Sequence, residues 1–277
     1  AACRRPFLLF ETRKTRIGRN RKKQGEKFVA LFQKKKEHAI AFVDFEYMQI
    51  SFRRKFAINP PIAEWYAEIS QRFAMDDVFF FADFSNPAMK YNIPQIRRIT
   101  NNVIDTQNTA SHYKKDFTDF FILDAMYRTA FDKTSAKNIV LFSGDGHFGA
   151  AVRFLKEKCS KNVIVYGIEN TVSGQLKSCA GEYTEFPSYE KLKRMYYPVI
   201  AKAVQEKLAQ SRELLTVMNV LRAVSEQSTA NQTYLHDALL AMIEDGYASQ
   251  KEQWVSSRKR IRVLSFEFDR MKADGIL

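Results

Sequence analysis

The sequence predicts an α/β fold: a mostly parallel sheet with helices on both faces, followed by an all-helical module. Three observations carry that prediction. Short apolar runs such as AIAFVDF, DVFFFADF, NIVLFSG and NVIVYGI are bounded by polar turn residues, the pattern of strands buried on both faces. Segments of helical spacing separate them, and such crossovers join parallel strands. After about residue 190 these runs give way to apolar residues at helical spacing.

Residues 1–38 read as a basic arm and a short helix, with 13 Lys and Arg against 3 acids, +10 of the formal +13. RKTRIGRNRKK has little apolar periodicity, whereas GEKFVALFQKKKE sets Phe28, Val29 and Phe32 on one side and closes in lysines. AIAFVDF (39–45) is the first strand, and NPPIAEWYAEISQRFA (59–74) a helix opened by Asn59 and prolines. DVFFFADF (77–84) is a strand, followed by a Ser–Asn–Pro turn and the helical IPQIRRIT. NNVIDTQ (101–107) is a weaker strand and DFTDFFILDAMYRTAF (116–131) a helix. NIVLFSG (138–144), HFGAAVRFLKEK, NVIVYGI, VSGQLKSCA and EYTEF then alternate strand and helix. In such open sheets, ligands sit outside the carboxyl ends of the strands.

Residues 188–277 form the second module, with helices predicted in YYPVIAKAVQEKLAQ, LLTVMNVLRAVSEQ and TYLHDALLAMIEDGYA. LLAMIEDGYA and FDRMKADGIL share an ending, a helix closed by Asp–Gly and an apolar residue, which is a carboxyl-cap signal. That pattern suits a winged-helix or helix-turn-helix unit and equally another small bundle. The module is also the candidate surface for a second copy or a protein partner.

Apolar residues make up 45% and Phe occurs 23 times, enough for a full core, while Gly (10) and Pro (7) are scarce. No run reaches the roughly 20 apolar residues of a membrane span, and PFLLF is too short for a secretory core segment. Cys3, Cys159 and Cys179 include no CxxC, which predicts a reduced intracellular, cytoplasmic protein without structural zinc. Outside the arm the charge is nearly balanced, 31 basic against 28 acidic residues, so the argument for a polyanion such as RNA concerns the arm. A solubilising tail or a lipid-surface patch would share that composition.

Three acids fall at comparable places. Asp44 ends the first strand, Asp145 follows IVLFSG, and Asp119 opens the helix feeding that strand. If the first and fourth strands are neighbours, the three converge at one sheet edge. Crowded carboxylates repel and are normally neutralised by a cation; oxygen ligands select Mg²⁺ or Mn²⁺, which support phosphodiester hydrolysis. Each acid alone also has an ordinary reading: Asp145 as a helix cap or turn residue, Asp44 as a strand end, Asp119 as a first-turn acid.

The stretches FVDFEYM, KKDFTDFFILDAM, FSGDGHF and SGQLKSCAGEY, in that order within residues 39–187, resemble the NYN domain family of PIN-like nucleases. The resemblance implies a PIN-like Rossmannoid sheet, a divalent-metal ribonuclease, and Asp44, Asp119 and Asp145 as metal-binding acids, with Asp124 as a further one. Two positions depart from the family pattern: Tyr47 where Asn is common, and His147 where a second Asp is common. Asp119 and Asp124 would lie about 140° apart on a regular helix, so both reach one ion only if Asp119 sits at a distorted first turn. Lys114, Lys115, Arg97, Arg98 and Ser143 are the candidate nucleic-acid contacts, Ser143 equally a turn cap. His147 is a candidate catalytic group for the leaving oxygen, and Glu46 approaches Asp44 only if the chain turns there.

Other chemistries lack their signatures. No GxGxxG follows the first strand, and the four histidines (His38, His112, His147, His236) form no recognisable constellation. Asp44 and Glu46 are only loosely the acid pair of a haloacid-type phosphatase. A catalytically weak RNA- or protein-binding module on the same scaffold is the alternative, motivated by Tyr47 and His147.

Overall fold

The computed structural model describes residues 35–107, 117–132, 136–211 and 213–277. The expected arm, the helix over 25–37 apart from its last three residues, and Lys114, Lys115 and His112 lie outside them. From the amino side the sheet takes β1 (His38–Asp44), β2 (Ala74–Ala82), β3 (Val103–Asp105), β4 (Asn138–Phe142), β5 (Asn162–Gly167) and β6 (Glu182–Glu185). Every pairing is parallel and the order is β3-β2-β1-β4-β5-β6. The chain winds outward from β1 to β3, then returns to lay β4 on the other side of β1. That reversal opens a crevice at the carboxyl ends of β1 and β4.

Strand alternation divides the core. Ala39, Ala41 and Val43 face one apolar cluster, with α1 (Phe45–Phe56) and α2 (Ile62–Arg72); Ile40 and Phe42 face the other. On that second face lie α5 (Phe117–Phe131), α6 (Phe148–Cys159) and α7 (Gly174–Cys179), while α3 (Pro87–Lys90) and α4 (Ile93–Ile96) bridge β2 to β3. Trp65 of α2 is fully buried, edge-on to Phe80, Phe142 and Tyr166 at 5.5–6.3 Å between ring centroids. Such ring pairs add roughly 0.5–1.5 kcal/mol each beyond burial, so α2 is firmly seated on three strands.

The chain enters α1 directly from β1. Asp44 ends β1 as expected and is also the amino cap of α1, its carboxylate accepting the Tyr47 N–H at 2.9 Å, so that Phe45, read as the last strand residue, opens the helix instead. Phe45, Met48, Phe52 and Phe56 recur at helical spacing and are all buried. The prolines expected in the first turn of the next helix precede it instead, with Pro61 as the amino-cap residue.

The carboxyl-terminal module contains α8 (Tyr189–Met195), α9 (Tyr197–Gln210), α10 (Val217–Ser225) and α11 (Gln232–Glu244). It is not all-helical: α11 is followed by an antiparallel hairpin of β7 (Ala248–Ser256) and β8 (Lys259–Phe266), then α12 (Phe268–Ala273). Helices α9 to α11 followed by the hairpin have the element order of the winged-helix alternative. Both Asp–Gly endings are Schellman caps. Tyr247 N–H donates to Met242 and Gly246 N–H to Ile243, and Ile276 and Gly275 repeat the pattern on Met271 and Lys272, with Gly246 and Gly275 at φ 76° and 71°. The buried Tyr196 hydroxyl donates to the Phe56 carbonyl at 2.8 Å, and Tyr234 packs on both rings. The module thus shares one apolar core with α1, and His38–Leu277 is one compact unit.

Candidate active site

Four acidic side chains meet at the carboxyl ends of β1 and β4. Asp44 arrives from β1, Glu46 from the first turn of α1, Asp119 from the first turn of α5, and Asp145 from the loop after β4. Because β1 pairs with β4, Asp44 and Asp145 converge as the strand reading required. Ser143 joins them: its buried hydroxyl donates to Asp44 Oδ2 at 3.0 Å, and its oxygen lies 3.3 Å from the Asp145 N–H.

Asp145 sits in an Asx turn. Its Oδ1 accepts the His147 N–H at 2.8 Å and lies 3.1 Å from His147 Nδ1. The amino-cap position of α6 belongs to His147, whose side chain makes no capping bond and is 78% exposed. Asp145 is therefore a turn acid that shapes the entry to the helix rather than its formal cap. Asp119, Asp145 and His147 each offer a ligand atom within 4.8 Å of the others.

Burial sets the electrostatics. Asp44 is 6% exposed, and desolvation pushes its carboxyl from 3.8 up to about 7. The Tyr47 N–H and Ser143 hydroxyl pull the value down, while the charges of Asp119 and Glu46 push it up. Among the described residues, no Lys or Arg pairs with Asp44, Glu46 or Asp145. The Glu46 carboxylate accepts the Asp83 N–H at 2.7 Å and the Thr118 hydroxyl at 3.1 Å. Thr118 also bonds Thr106 just past β3, which fixes the first turn of α5 and so Asp119 against the sheet edge. The chain does turn after Asp44, and Glu46 approaches it as that condition required.

Tyr47 has another task. Its hydroxyl accepts the Ile168 N–H at 2.9 Å, bonds Thr171 at 2.6 Å, and so pins the loop after β5. Its ring lies where a Cβ on Gly144 would stand, and Thr171 O would be 2.8 Å from that Cβ. The tyrosine and the glycine are one packing unit behind the acids.

The remaining expected site residues fall elsewhere. Asp124 is paired with Arg128 at 2.8 Å, exposed on α5 and outside the cluster. Ser143, expected among nucleic-acid contacts, is fully buried, its hydroxyl donating to the Asp44 carboxylate and accepting from the Asp145 backbone N–H. Arg97 and Arg98 are exposed in the segment entering β3. The sequence reading missed Thr118 and Thr106, for which single hydroxyls give no spacing signal.

These residues fit a divalent cation. Crowded carboxylates, one buried with a raised pKa, are arranged for positive charge, and ionised Asp44 keeps lone pairs beyond its two hydrogen bonds. Oxygen donors beside one imidazole suit Mg²⁺ or Mn²⁺, the imidazole favouring the softer ion.

The family model for the NYN domain matches residues 39–190, over half of the chain. The chain belongs to the NYN domain family. The NYN domain is a PIN-like, nuclease-type fold whose members are typically divalent-metal dependent, and the residues above lie within the matched span. A crystal structure of a protein of unknown function from Vibrio parahaemolyticus is similar, at 19% identity and a TM-score of 0.50, covering 55% of this chain and 94% of the other. That likeness concerns the fold. No curated protein matches the chain. Among the described residues, no helix is long and apolar enough to cross a membrane.

Proposed function

We propose that the protein is a divalent-metal-dependent ribonuclease that hydrolyses phosphodiester bonds within an RNA strand. The observation that carries the proposal is the meeting of Asp119, Asp145 and His147 ligand atoms within 4.8 Å, beside buried Asp44 at the sheet's switch point. A bound Mg²⁺ or Mn²⁺ would supply Lewis acidity toward the phosphodiester and activation of the attacking water.

The chain's own residues do the rest. Asp119, Asp145 and Asp44 would hold the ion, with Ser143 fixing the last two relative to each other. Glu46, through Thr118, keeps the Asp119 turn in place. His147, exposed and beside Asp145, either joins the ligand set or donates a proton to the leaving oxygen. Tyr47 and Gly144 keep the β4 turn rigid from behind.

The test is cleavage of an end-labelled single-stranded RNA with Mn²⁺ or Mg²⁺, comparing wild type with Asp145→Asn. The reading predicts cutting by wild type, loss in the variant and abolition by EDTA. Intact RNA with both proteins, bound equally well, would favour the catalytically weak module; equal cleavage by both would mean that Asp145 is not part of the reaction.

A further inference from the structure

We infer that the β7–β8 hairpin is a second RNA-contacting surface, stacking a base of a single strand on Trp254 and holding flanking phosphates with Lys259, Arg260 and Arg262. This rests on the proposed RNA substrate and adds a site distinct from the acid cluster.

The first observation is charge segregation. Residues 189–247 hold seven basic and seven acidic side chains, whereas 248–266 hold five basic residues and one acid. The helix packed before the hairpin, α11, carries no Lys or Arg and includes Asp237 and Glu244. A helix of that charge is a poor partner for phosphates, so the wing takes the contact.

The second observation is geometry. Ala248 and Leu264 are buried at the hairpin base, and Leu264 N–H donates to Leu215 O at 2.6 Å, which anchors the ribbon to the loop before α10. Beyond that base, residues 250–260 are all exposed. Trp254 pairs with Arg260 and Glu252 with Arg262 across the strands, so the four share one face. The Arg260 guanidinium lies 4.3 Å from the Trp254 ring centroid and is held by Glu252 at 3.2 Å. Among the described residues, no carboxylate pairs with Arg258, Lys259 or Arg262. Trp254 remains 58% exposed.

An exposed indole beside paired and unpaired cations is the combination that binds single strands, because bases stack on the ring while phosphates meet the charges. A duplex keeps its bases stacked internally and offers the indole none.

Trp65, the other tryptophan, is fully buried where no RNA base can stack on it, so quenching by contact with RNA, judged against Trp254→Phe, reports Trp254. The experiment titrates the full chain in EDTA with a short single-stranded RNA of mixed sequence. Wild type should show quenching that Trp254→Phe abolishes. Trp254→Ala should weaken binding, read by anisotropy, at least about fivefold. Lys259→Gln combined with Arg262→Gln should flatten the salt slope by roughly one. Quenching that survives Trp254→Phe, affinities within about twofold of wild type, or quenching by anionic vesicles or polyglutamate but not RNA would overturn the inference. EDTA separates it from the nuclease reading: quenching without cleavage in Mn²⁺ leaves the wing and removes the nuclease. Cleavage unchanged by the wing variants, with no quenching, does the reverse.

Discussion

The Ser143 hydroxyl donates to the Asp44 carboxylate at 3.0 Å where β1 and β4 end, with Asp44 6% exposed and Ser143 fully buried. That bond and the Tyr47 N–H are the native compensation for taking a carboxyl group out of water, and they do not suffice: burial still raises the Asp44 pKa to about 7. The metal-free site is therefore held at a cost that a cation would relieve.

That cost has a sign. Between the ordinary value of 3.8 and about 7, folded Asp44 keeps a proton that the unfolded chain has released. Stability of the metal-free protein from this group therefore falls as pH rises through that window. Asp44→Asn removes the titration and keeps a good amino cap. Urea unfolding in EDTA should show the variant gaining on wild type between about pH 4 and about pH 8, by at most a few kcal/mol. A difference independent of pH would show that Asp44 is not strained by burial.

Tyr47→Phe leaves the Ile168 N–H without its acceptor and removes the phenol's bond to Thr171, whose hydroxyl keeps its donation to the Ile168 carbonyl. The expected loss is about 1–3 kcal/mol in urea unfolding, with faster hydrogen exchange at Ile168. Gly144→Ala should cost a comparable amount, about 1–3 kcal/mol, because its Cβ meets the Tyr47 ring, which the phenylalanine variant retains. Unchanged stability in both would contradict the packing of tyrosine on glycine.

His147 and Asp124 can be separated by calorimetry with Mn²⁺. His147→Ala should weaken binding at least about tenfold and narrow the preference for Mn²⁺ over Mg²⁺. Asp124→Asn breaks only the pair with Arg128 and should leave the affinity within about twofold. The exposure of His147 argues against a purely packing role; full retention of binding and activity in His147→Ala would restore one.

Residues 1–23 carry nine Lys and Arg and one acid. Deleting them should weaken RNA binding and flatten its dependence on salt by about 0.7 for each phosphate the arm no longer neutralises. An unchanged slope would assign the arm to a protein partner or a membrane surface.

The sheet was legible because its strands are apolar runs, and the acids because Asp44 and Asp145 close two of them. Helix α1 was missed although its signal is present: Asp44 is followed by Phe45, Met48, Phe52 and Phe56, but FVDF also reads as a continuing strand. The β7–β8 hairpin left almost no pattern, since only Ala248 and Leu264 are buried and the Ser257–Arg258 turn lacks the Asn–Gly or Asp–Gly signal. Ser143 and Thr118 act through hydroxyls bonded to residues 99 and 72 positions away, which no local spacing encodes. Tyr47 and His147 stood out as departures; the geometry gives the first a packing role and the second a place among the ligands.

The most direct test of a metal at this acid cluster is a crystal of the protein soaked in Mn²⁺ and measured for anomalous scattering. A peak is expected within bonding distance of the Asp119 and Asp145 carboxylates, with His147 and Asp44 completing or flanking the site. A saturating soak with no peak there, or with manganese at Asp124 instead, would contradict it.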